Sequence, residues 1–294
     1  MKTLELGSKG KKVEQLQRFL KIKVDGDFGK KTEEAVKKFQ KENKLKETGQ
    51  VDEKTWNVMG FKITTDLSES FNLSNKLIFN QKFLDKDEYL KGPTKKEYLF
   101  LHHTAGGNNP YQVVTMWNND TRGRIATEFV LGGQSVFNGD ETYDGTIVQA
   151  FPEGGYAWHL GDNGSEYMHS HSVGIETCNF GPINDGKTYT GQKADPKQIV
   201  ELNQVFRGHK TWHRYSDKQL STLKELILFV AKRDNIDIHS GLISEIKKNG
   251  VKAFDFNENA YYGKVKGMWT HTNTRKDKTD MFPQQELIDM LLSL

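Results

Sequence analysis

The sequence lacks several features that would place it in other protein classes. It has a single cysteine, Cys178, in 294 residues, so no internal disulfide can form and the fold does not depend on an oxidising compartment. No run approaches the ~18 apolar residues that span a bilayer. The first ten residues, MKTLELGSKG, lack the apolar stretch of a secretory signal. We therefore expect a chain made in the cytosol, with Cys178 as a buried strand residue.

Net charge is also low, at +3, but it is unevenly distributed. Residues 1–60 carry 15 Lys and Arg against 10 Asp and Glu, whereas the remainder carries 27 against 29. An anionic partner, either nucleic acid or the cell wall, would suit the basic first segment, and a solvated basic face explains the same charge equally well. The length favours two domains, each able to bury its own core.

The first 60 residues alternate helix patterns with turn signals. Apolar residues recur at helical spacing in three short stretches separated by polar turns. We expect Thr32 to cap the second helix and Asp52 to cap the third. Glycines stand where tight turns are needed, at Gly26, Gly29 and Gly49. The pattern predicts a small three-helix domain.

This segment resembles the family of small three-helix peptidoglycan-binding domains. That family has an apolar helix followed by DGxFGxxTxxAVxxFQ and TGxVDxxTW, and this chain reads DGDFGKKTEEAVKKFQ and TGQVDEKTW. Most matching residues are core and turn positions, so the resemblance specifies the fold more closely than the ligand. It implies that residues 1–60 form a peptidoglycan-binding domain.

Beyond this segment the pattern becomes mixed α/β. Residues 61–96 are polar and mixed, and we interpret them as a linker that partly packs onto the next domain. Strands are predicted at EYLFLHH, TEFVL, TIVQAF and SVGIETC. Helices are predicted over 110–119 and 216–233, the second opened by a capping box of Ser216 and Gln219. A long stretch, 237–267, precedes His271, and loops of that length are often functional.

Two adjacent histidines, His102 and His103, end the first predicted strand. Neighbouring strand residues point to opposite faces, so only one can address a common site while the other packs or bonds elsewhere. Ligands of open α/β sheets gather beyond the carboxyl ends of strands, which favours a site here. Zinc chemistry needs three protein ligands and an open position, and His102, His271 and Asp280 would supply that set.

Spacing alone does not single out this set, because the chain has nine histidines. The histidines that compete for the same role are His169, His171, His209, His213 and His239. Surface or packing positions are the alternative interpretation for these five.

Four motifs in order favour the first set. FLHHTA, YAWHLG, SVGIETCNFG and HTNTRKDKTDMFP follow one another as in the type 2 N-acetylmuramoyl-L-alanine amidases, a zinc family that includes phage endolysins and the peptidoglycan recognition proteins. The chain resembles this family over residues 97–290, with 237–267 as an insertion. The resemblance implies that residues 97–294 form a zinc amidase domain with a mixed β-sheet flanked by helices.

Carried over position by position, the resemblance also implies the site. The Zn²⁺ ligands would be His102, His271 and Asp280. Glu176 in GIE matches the family's catalytic glutamate, and His159 in WHLG matches a histidine that lines the substrate groove. Lys278 lies on the same side of an extended segment as Asp280. The implied chemistry is amide hydrolysis by zinc-activated water, with Glu176 moving the proton and Lys278 stabilising the oxyanion.

One position departs from the family pattern. In ATEFVLGG, Thr127 stands where one branch of the family uses a catalytic tyrosine, so that role is absent. The neighbouring Glu128 has two interpretations, a second acid near the metal or a polar residue of the groove.

The sequence thus predicts a peptidoglycan hydrolase of the endolysin type that cleaves the amide between N-acetylmuramic acid and L-alanine. A non-catalytic peptidoglycan recognition protein is one alternative, which the retention of all three ligands disfavours. A zinc peptidase of the stem peptide is the other, and it would want a different ligand spacing. Peptidoglycan is the expected partner, without nucleic acid or membrane, for a monomeric chain. We expect it in the host cytoplasm before lysis and at the bacterial cell wall afterwards, released with the help of a phage holin.

Overall fold

The computed structural model describes residues 3–43, 45–59, 77–92, 95–161 and 164–294. The chain divides into two compact units, Met1–Glu69 and Ser70–Leu294. The first unit is helical and the second is mixed α/β, which confirms the predicted fold class. Residues 60–76, which include much of the predicted linker, lie outside the described residues.

Among the described residues of the first unit there are three short helices. They are α1 (Lys11–Phe19), α2 (Lys30–Glu42) and α3 (Glu53–Val58). Their apolar faces enclose a small core that includes Val13, Leu16, Phe28, Val36 and Trp56. Because each helix contributes only one apolar stripe, the core forms only when all three pack together.

The two predicted helix caps in this unit differ in outcome. Asp52 caps α3, since its Oδ1 accepts from the Thr55 backbone N–H at 2.8 Å. The prediction for Thr32 was wrong, because α2 begins at Lys30 and Gly29 is its N-cap residue. Thr32 instead lies inside the first turn, where it is buried and its hydroxyl accepts from Gln17 Nε2 at 3.1 Å.

Buried glutamines hold the two turns between these helices. Gln17 Oε1 accepts from the Gly26 N–H at 2.9 Å while its Nε2 donates to Thr32. The same contacts recur among Gln40, Gly49 and Thr55. Both glycines adopt a positive φ, 71° and 72°, which only glycine tolerates without strain. The first unit therefore contains the same arrangement twice. In each copy a glutamine side-chain amide forms the hydrogen bonds that the backbone of the turn needs.

A six-stranded sheet forms the centre of the second unit, in the order β1-β5-β4-β7-β3-β10. Its strands are β1 (Phe79–Gln81), β3 (Tyr98–His103), β4 (Phe129–Leu131), β5 (Ile147–Gln149), β7 (Ser172–Thr177) and β10 (Gly267–Thr270). The β4–β5 pair is antiparallel, and all other neighbours in this sheet are parallel. Two small antiparallel pairs lie outside it, β2 (Leu90–Lys91) with β6 (Gly155–Tyr156) and β8 (Ile199–Phe206) with β9 (His209–His213).

Helices cover both faces of this sheet. They are α4 (Pro110–Asn118), α5 (Glu166–Ser170), α6 (Asp217–Asp234), α7 (Leu242–Asn249), α8 (Glu258–Tyr261), α9 (His271–Thr274) and α10 (Gln285–Leu292). On β4, Phe129 and Leu131 share a core with the apolar face of α6, whereas Val130 packs in a second cluster with Val114 of α4. Every residue of β3 is buried, which explains its continuous apolar run. Cys178 is buried in the second cluster, as predicted, but it lies one residue beyond the end of β7 and not within a strand.

Two stretches predicted to lack regular structure contain elements. The range predicted as a linker, 61–96, includes β1, which pairs with β5 at the sheet edge, and β2. The stretch 237–267 includes α7, a 3-10 helix at Gly250–Phe254 and α8, so it is not an open loop. Apolar residues of α7 are buried in the main core. This burial stabilises a helix in a stretch whose overall composition is polar.

The capping box predicted for α6 forms only in part. The Ser216 hydroxyl accepts from the Gln219 backbone N–H at 2.9 Å, so Ser216 is the N-cap residue. The Gln219 side chain does not return the contact. It donates instead to the carbonyl oxygens of Gly132 and Cys178. In the described part of the chain, no helix has the length and apolar character needed to cross a membrane.

Candidate active site and metal centre

The candidate site lies at the carboxyl ends of three neighbouring parallel strands. His102 is on β3, Glu176 is its register partner on β7, and His271 directly follows β10 on the other side of β3. Parallel strands end at the same edge of a sheet, so residues distant in sequence meet there. A fourth residue, Asp280, reaches the same place from the segment after α9.

A buried group is formed by His102, His271 and Asp280. One possible ligand atom from each, a ring nitrogen or a carboxylate oxygen, lies within 4.8 Å of the other two. Asp280 Oδ2 is 3.0 Å from His271 Nδ1 and 3.5 Å from His102 Nδ1. The exposed fractions are 2% for His102, 8% for His271 and 5% for Asp280. Within the described ranges, no other set of three such residues comes together.

The protonation states of this group suit a metal ligand set. Burial lowers the pKa of His102 to about 4, so its ring is neutral at pH 7. Burial alone would raise the pKa of Asp280, but His271 and His102 hold it well below its ordinary value. A neutral imidazole and an ionised carboxylate are the forms that bind a metal.

Zinc fits these residues. Two imidazoles and one carboxylate are a zinc donor set, whereas calcium and magnesium prefer oxygen alone. His271 Nε2 is buried without a hydrogen-bond partner while Nδ1 faces the carboxylate, so the ring is oriented by the site and not by an unrelated contact. All three residues line one pocket of about 390 Å³, which leaves a side of the group open to a substrate.

Glu176 and Lys278 line the same pocket and are both partly exposed to it. Burial raises the pKa of Glu176 well above its ordinary value, the negative charge of Asp280 adds to that effect, and Lys278 opposes it. The pocket thus brings a carboxyl group and an ammonium group to the side of the candidate metal-binding residues. Lys278 and Asp280 both line this pocket, but Thr279 between them lines it too, so the alternation expected of an extended segment is not seen here.

His159 lies against the metal-binding group. Its Nδ1 is 2.9 Å from His102 Nε2, and its Nε2 is 2.6 Å from the Ser172 hydroxyl. The ring also lines the pocket, although it is only 8% exposed. Both ring nitrogens therefore already have partners in the protein.

Comparison with known families bears directly on this arrangement. Residues 92–280 match the family model described as N-acetylmuramoyl-L-alanine amidase. The chain belongs to this amidase family. Residues 9–59 match the model of a peptidoglycan binding domain. Both resemblances seen in the sequence are confirmed, and the amidase assignment covers every residue of the candidate site.

Solved structures that match part of the chain include two endolysins and an amidase. A mutant endolysin from Bacillus subtilis is 19% identical, with a TM-score of 0.34 over 55% of this chain and 80% of that chain. The amidase AmiD from E. coli, in complex with its substrate, is 18% identical, with a TM-score of 0.38 over 68% of this chain and 58% of that one. The endolysin LysCS from Clostridium intestinale is 13% identical, with a TM-score of 0.39 over 73% and 95%. Among curated proteins, none matches the chain.

Glu128 has neither of the roles considered for it in this amidase. It is 1% exposed and lies outside the pocket, where its Oε2 accepts from Arg233 of α6 at 2.8 Å. Thr127 beside it does line the pocket. Both interpretations of Glu128 were therefore wrong, because the side chain belongs to a buried ion pair on the other face of the sheet.

The remaining histidines of the amidase stay outside the metal-binding group. His103 Nδ1 is 3.0 Å from the Tyr215 hydroxyl, so it is the structural member of the HH pair. His213 is buried and its Nδ1 accepts from the Phe180 N–H at 3.1 Å. His169 lines a neighbouring pocket and contacts the Gly161 carbonyl.

The amidase pocket continues into a longer cleft. A space of about 590 Å³ adjoins it on the side of Trp158 and Arg275. A space of about 820 Å³ adjoins it on the side of Met116 and Tyr189. Arg122 lines all three and is held by Asp120 through a bond of 2.6 Å. Sequence reasoning missed these residues, because isolated aromatic and basic residues in loops follow no period that could distinguish them.

Proposed function

We propose that the chain is an endolysin-type hydrolase that cleaves the amide between N-acetylmuramic acid and L-alanine of the stem peptide, with zinc as its cofactor. The observation that carries this proposal is the buried group of His102, His271 and Asp280, which opens into the same pocket as Glu176. Membership of the amidase family makes peptidoglycan the substrate class.

Each residue has a defined role in this proposal. His102, His271 and Asp280 would hold the zinc, which would supply Lewis-acid chemistry and lower the pKa of a water toward about 7. Glu176 accepts a proton from the attacking water and gives it to the leaving amine nitrogen, so its carboxyl must serve as base and then as acid. The raised pKa of Glu176 favours the protonated carboxyl, which is the form that serves as the acid. Lys278 stabilises the negative charge that develops on the amide oxygen.

The reaction balances without a covalent enzyme intermediate. The water oxygen bonds to the carbonyl carbon, the C–N bond breaks, and the products are a carboxylate on the muramic acid side and a free amine on L-alanine. His159 fits a substrate-binding role less well than expected, since both of its ring nitrogens are engaged.

The first unit would hold the enzyme at its insoluble substrate. Residues 9–59 match a peptidoglycan binding domain, and residues 1–60 carry 15 basic against 10 acidic side chains, which would add attraction to anionic wall polymers. We assign wall anchoring to residues 1–60 and catalysis to the second unit. The phage origin, the holin-dependent release and the monomeric state stay predictions from the sequence.

Digestion of purified sacculi tests the proposal. The amidase should release intact stem peptides that carry a new L-alanine amine, which amine labelling and mass spectrometry would identify. A stem-peptide peptidase would release only part of the peptide, and a recognition protein would release nothing. Either of these two product patterns would refute the proposed bond specificity.

A further inference from the structure

The imidazole of His159 connects the metal-site residue His102 to strand β7. The contacts run from His102 Nε2 to His159 Nδ1 at 2.9 Å, then from His159 Nε2 to the Ser172 hydroxyl at 2.6 Å. The Ser172 hydroxyl continues to the carbonyl oxygen of His169 at 3.4 Å. The side chains are buried, with exposed fractions of 2% for His102, 8% for His159 and 4% for Ser172. Water therefore competes little for these bonds.

The three linked hydrogen bonds can all form with one assignment of donors and acceptors that also leaves His102 able to bind a metal. His102 Nδ1 faces Asp280, so metal binding at that atom needs its lone pair and places the ring proton on Nε2. His102 Nε2 then donates to His159 Nδ1, and His159 Nε2 donates to the Ser172 oxygen. The Ser172 hydroxyl donates to the His169 carbonyl, which can only accept.

The reverse order conflicts with metal binding. Ser172 would donate to His159 Nε2, and His159 Nδ1 would donate to His102 Nε2. The proton of His102 would then sit on Nδ1, the atom that faces Asp280, and the His169 carbonyl would lose its donor. The carbonyl at the end of the chain thus favours the tautomer of His102 that can hold a metal.

Strand β7 makes room for the His159 ring. Ser172, Gly174 and Glu176 alternate along one face of the strand. A Cβ atom on Gly174 would lie 3.2 Å from His159 Nδ1 and 2.6 Å from Thr127 Cγ2. A side chain there would clash with Thr127 and would crowd the His159 ring. The motif SVGIE therefore places a hydroxyl, a gap and the proposed catalytic glutamate on one face.

We propose that His159 is a positioning residue for the metal ligand His102, and that Ser172 sets the tautomer of both histidines. This inference rests on the proposed metal site. A partner on the second nitrogen of a metal-binding histidine fixes the ring orientation and raises its basicity, and loss of such a partner typically costs about 10- to 100-fold in metal affinity. Positioning of His102, and not direct contact with the substrate, is then the reason for His159 in the motif WHLG.

Zinc affinity of the full-length protein tests the proposal, measured by competition with a chromogenic chelator. His159→Leu should weaken zinc binding by about 10- to 100-fold, because the acceptor for His102 Nε2 is lost. His159→Asn keeps an oxygen close to the Nδ1 position and should recover most of that affinity. Ser172→Ala should give an intermediate loss, because it frees the reverse tautomer.

His213→Leu is the matched control. It also removes a buried imidazole, with 2% exposure, but His213 does not line the pocket. This change should lower thermal stability and leave zinc affinity at the wild-type value. The ¹⁵N chemical shifts of the zinc-loaded protein should in addition show His102 protonated on Nε2, and this signal should change in Ser172→Ala.

The outcomes separate this inference from the proposed function. Absence of zinc binding in the wild-type chain would overturn both. Wild-type zinc affinity in His159→Leu, or an equal loss in His213→Leu, would overturn the positioning role alone. A raised KM with unchanged zinc affinity in the His159 variants would restore the substrate-binding role. If His159→Leu does not fold, His159→Asn and Ser172→Ala carry the same test.

Discussion

Glu176 and His102 are register partners on the neighbouring parallel strands β7 and β3. Both residues line the pocket. His271, which directly follows β10 on the other side of β3, lines it as well. The proposed proton acceptor and two proposed metal ligands thus lie on β7, on β3 and directly after β10. A rigid sheet holds such residues more closely in place than loops would.

We predict one zinc ion per chain, bound by His102, His271 and Asp280. Chelation should abolish activity on sacculi and added zinc should restore it. Asp280→Ala should lose both metal and activity, which elemental analysis of the purified protein would measure. Asp289→Ala, an exposed carboxylate on α10, is the control and should keep both. Full activity in metal-free protein would refute the zinc mechanism.

Glu176→Gln should keep the fold and the zinc but lower kcat by about 10²- to 10⁴-fold, because the amide cannot accept the proton. Glu128→Gln, directly before the adjacent strand β4, is the matched control. Its buried partner Arg233 would lose a counter-charge, so unfolding in urea should require less denaturant, by a free energy on the order of 3 kcal/mol. Turnover of the folded Glu128 variant should stay normal. A wild-type rate in Glu176→Gln would exclude this carboxyl as the general base.

Lys278→Ala should retain zinc and lower kcat by about 10²-fold, as for the loss of one oxyanion donor. The exposed Lys276, two residues earlier, provides the control substitution Lys276→Ala. Steady-state kinetics on a soluble muropeptide would separate kcat from KM. An effect on KM alone would assign Lys278 to substrate binding.

Removal of the first unit should separate anchoring from catalysis. Residues 61–294 should cleave small soluble muropeptides at a near-normal rate, because every candidate site residue lies within them. The same fragment should lyse intact walls more slowly, since the loss of a tether lowers the effective concentration at an insoluble substrate. Residues 1–60 should pellet with sacculi, more weakly as salt rises. Equal lysis by the fragment would argue against an anchoring role.

Lys96 should make the folded state more stable as pH rises above 8. The residue is 3% exposed, and burial lowers its pKa to about 8 from the ordinary 10.5. Between these values the unfolded chain binds the extra proton, so the free energy of unfolding should rise with pH by up to about 1.4 kcal/mol per pH unit. Below pH 8 both states are protonated and the contribution is constant.

Urea unfolding of Lys96→Met across pH 7.5 to 10.5 tests this pH dependence. The variant should lose the rise attributed to Lys96, although its absolute stability also falls because the carbonyls of Gly155 and Ser170 lose their donor. Lys95→Met, at the exposed neighbouring position, should behave as the wild type. Identical pH profiles for Lys96→Met and the wild type would contradict the lowered pKa.

Local sequence patterns determined those helices, strands and caps that depend on residues close together in the sequence. The helical repeats of the first unit, the cap at Asp52 and the buried run of β3 depend on neighbours within a few residues, so spacing and composition reveal them. The four ordered motifs likewise identified the amidase family and the three residues that later formed the metal-binding group. The stretch 237–267 was misread because its apolar residues are sparse, and only their burial against the main core made it helical.

Tertiary structure alone decided which side chains meet. From its sequence neighbours, Thr32 resembles a helix cap and Glu128 resembles an acidic residue of the site. In the structure, however, Thr32 accepts a hydrogen bond from a glutamine amide, and Glu128 pairs with an arginine 105 residues away. The partners of His159 come from β3 and β7, which lie side by side only because the sheet order is β4-β7-β3-β10. The sequence by itself determined the residue types of the site and their order along the chain. Their partners depended on strand order and on the face each residue occupies, because hydrogen bonds and ion pairs form between groups that are close in space, whatever their separation in sequence.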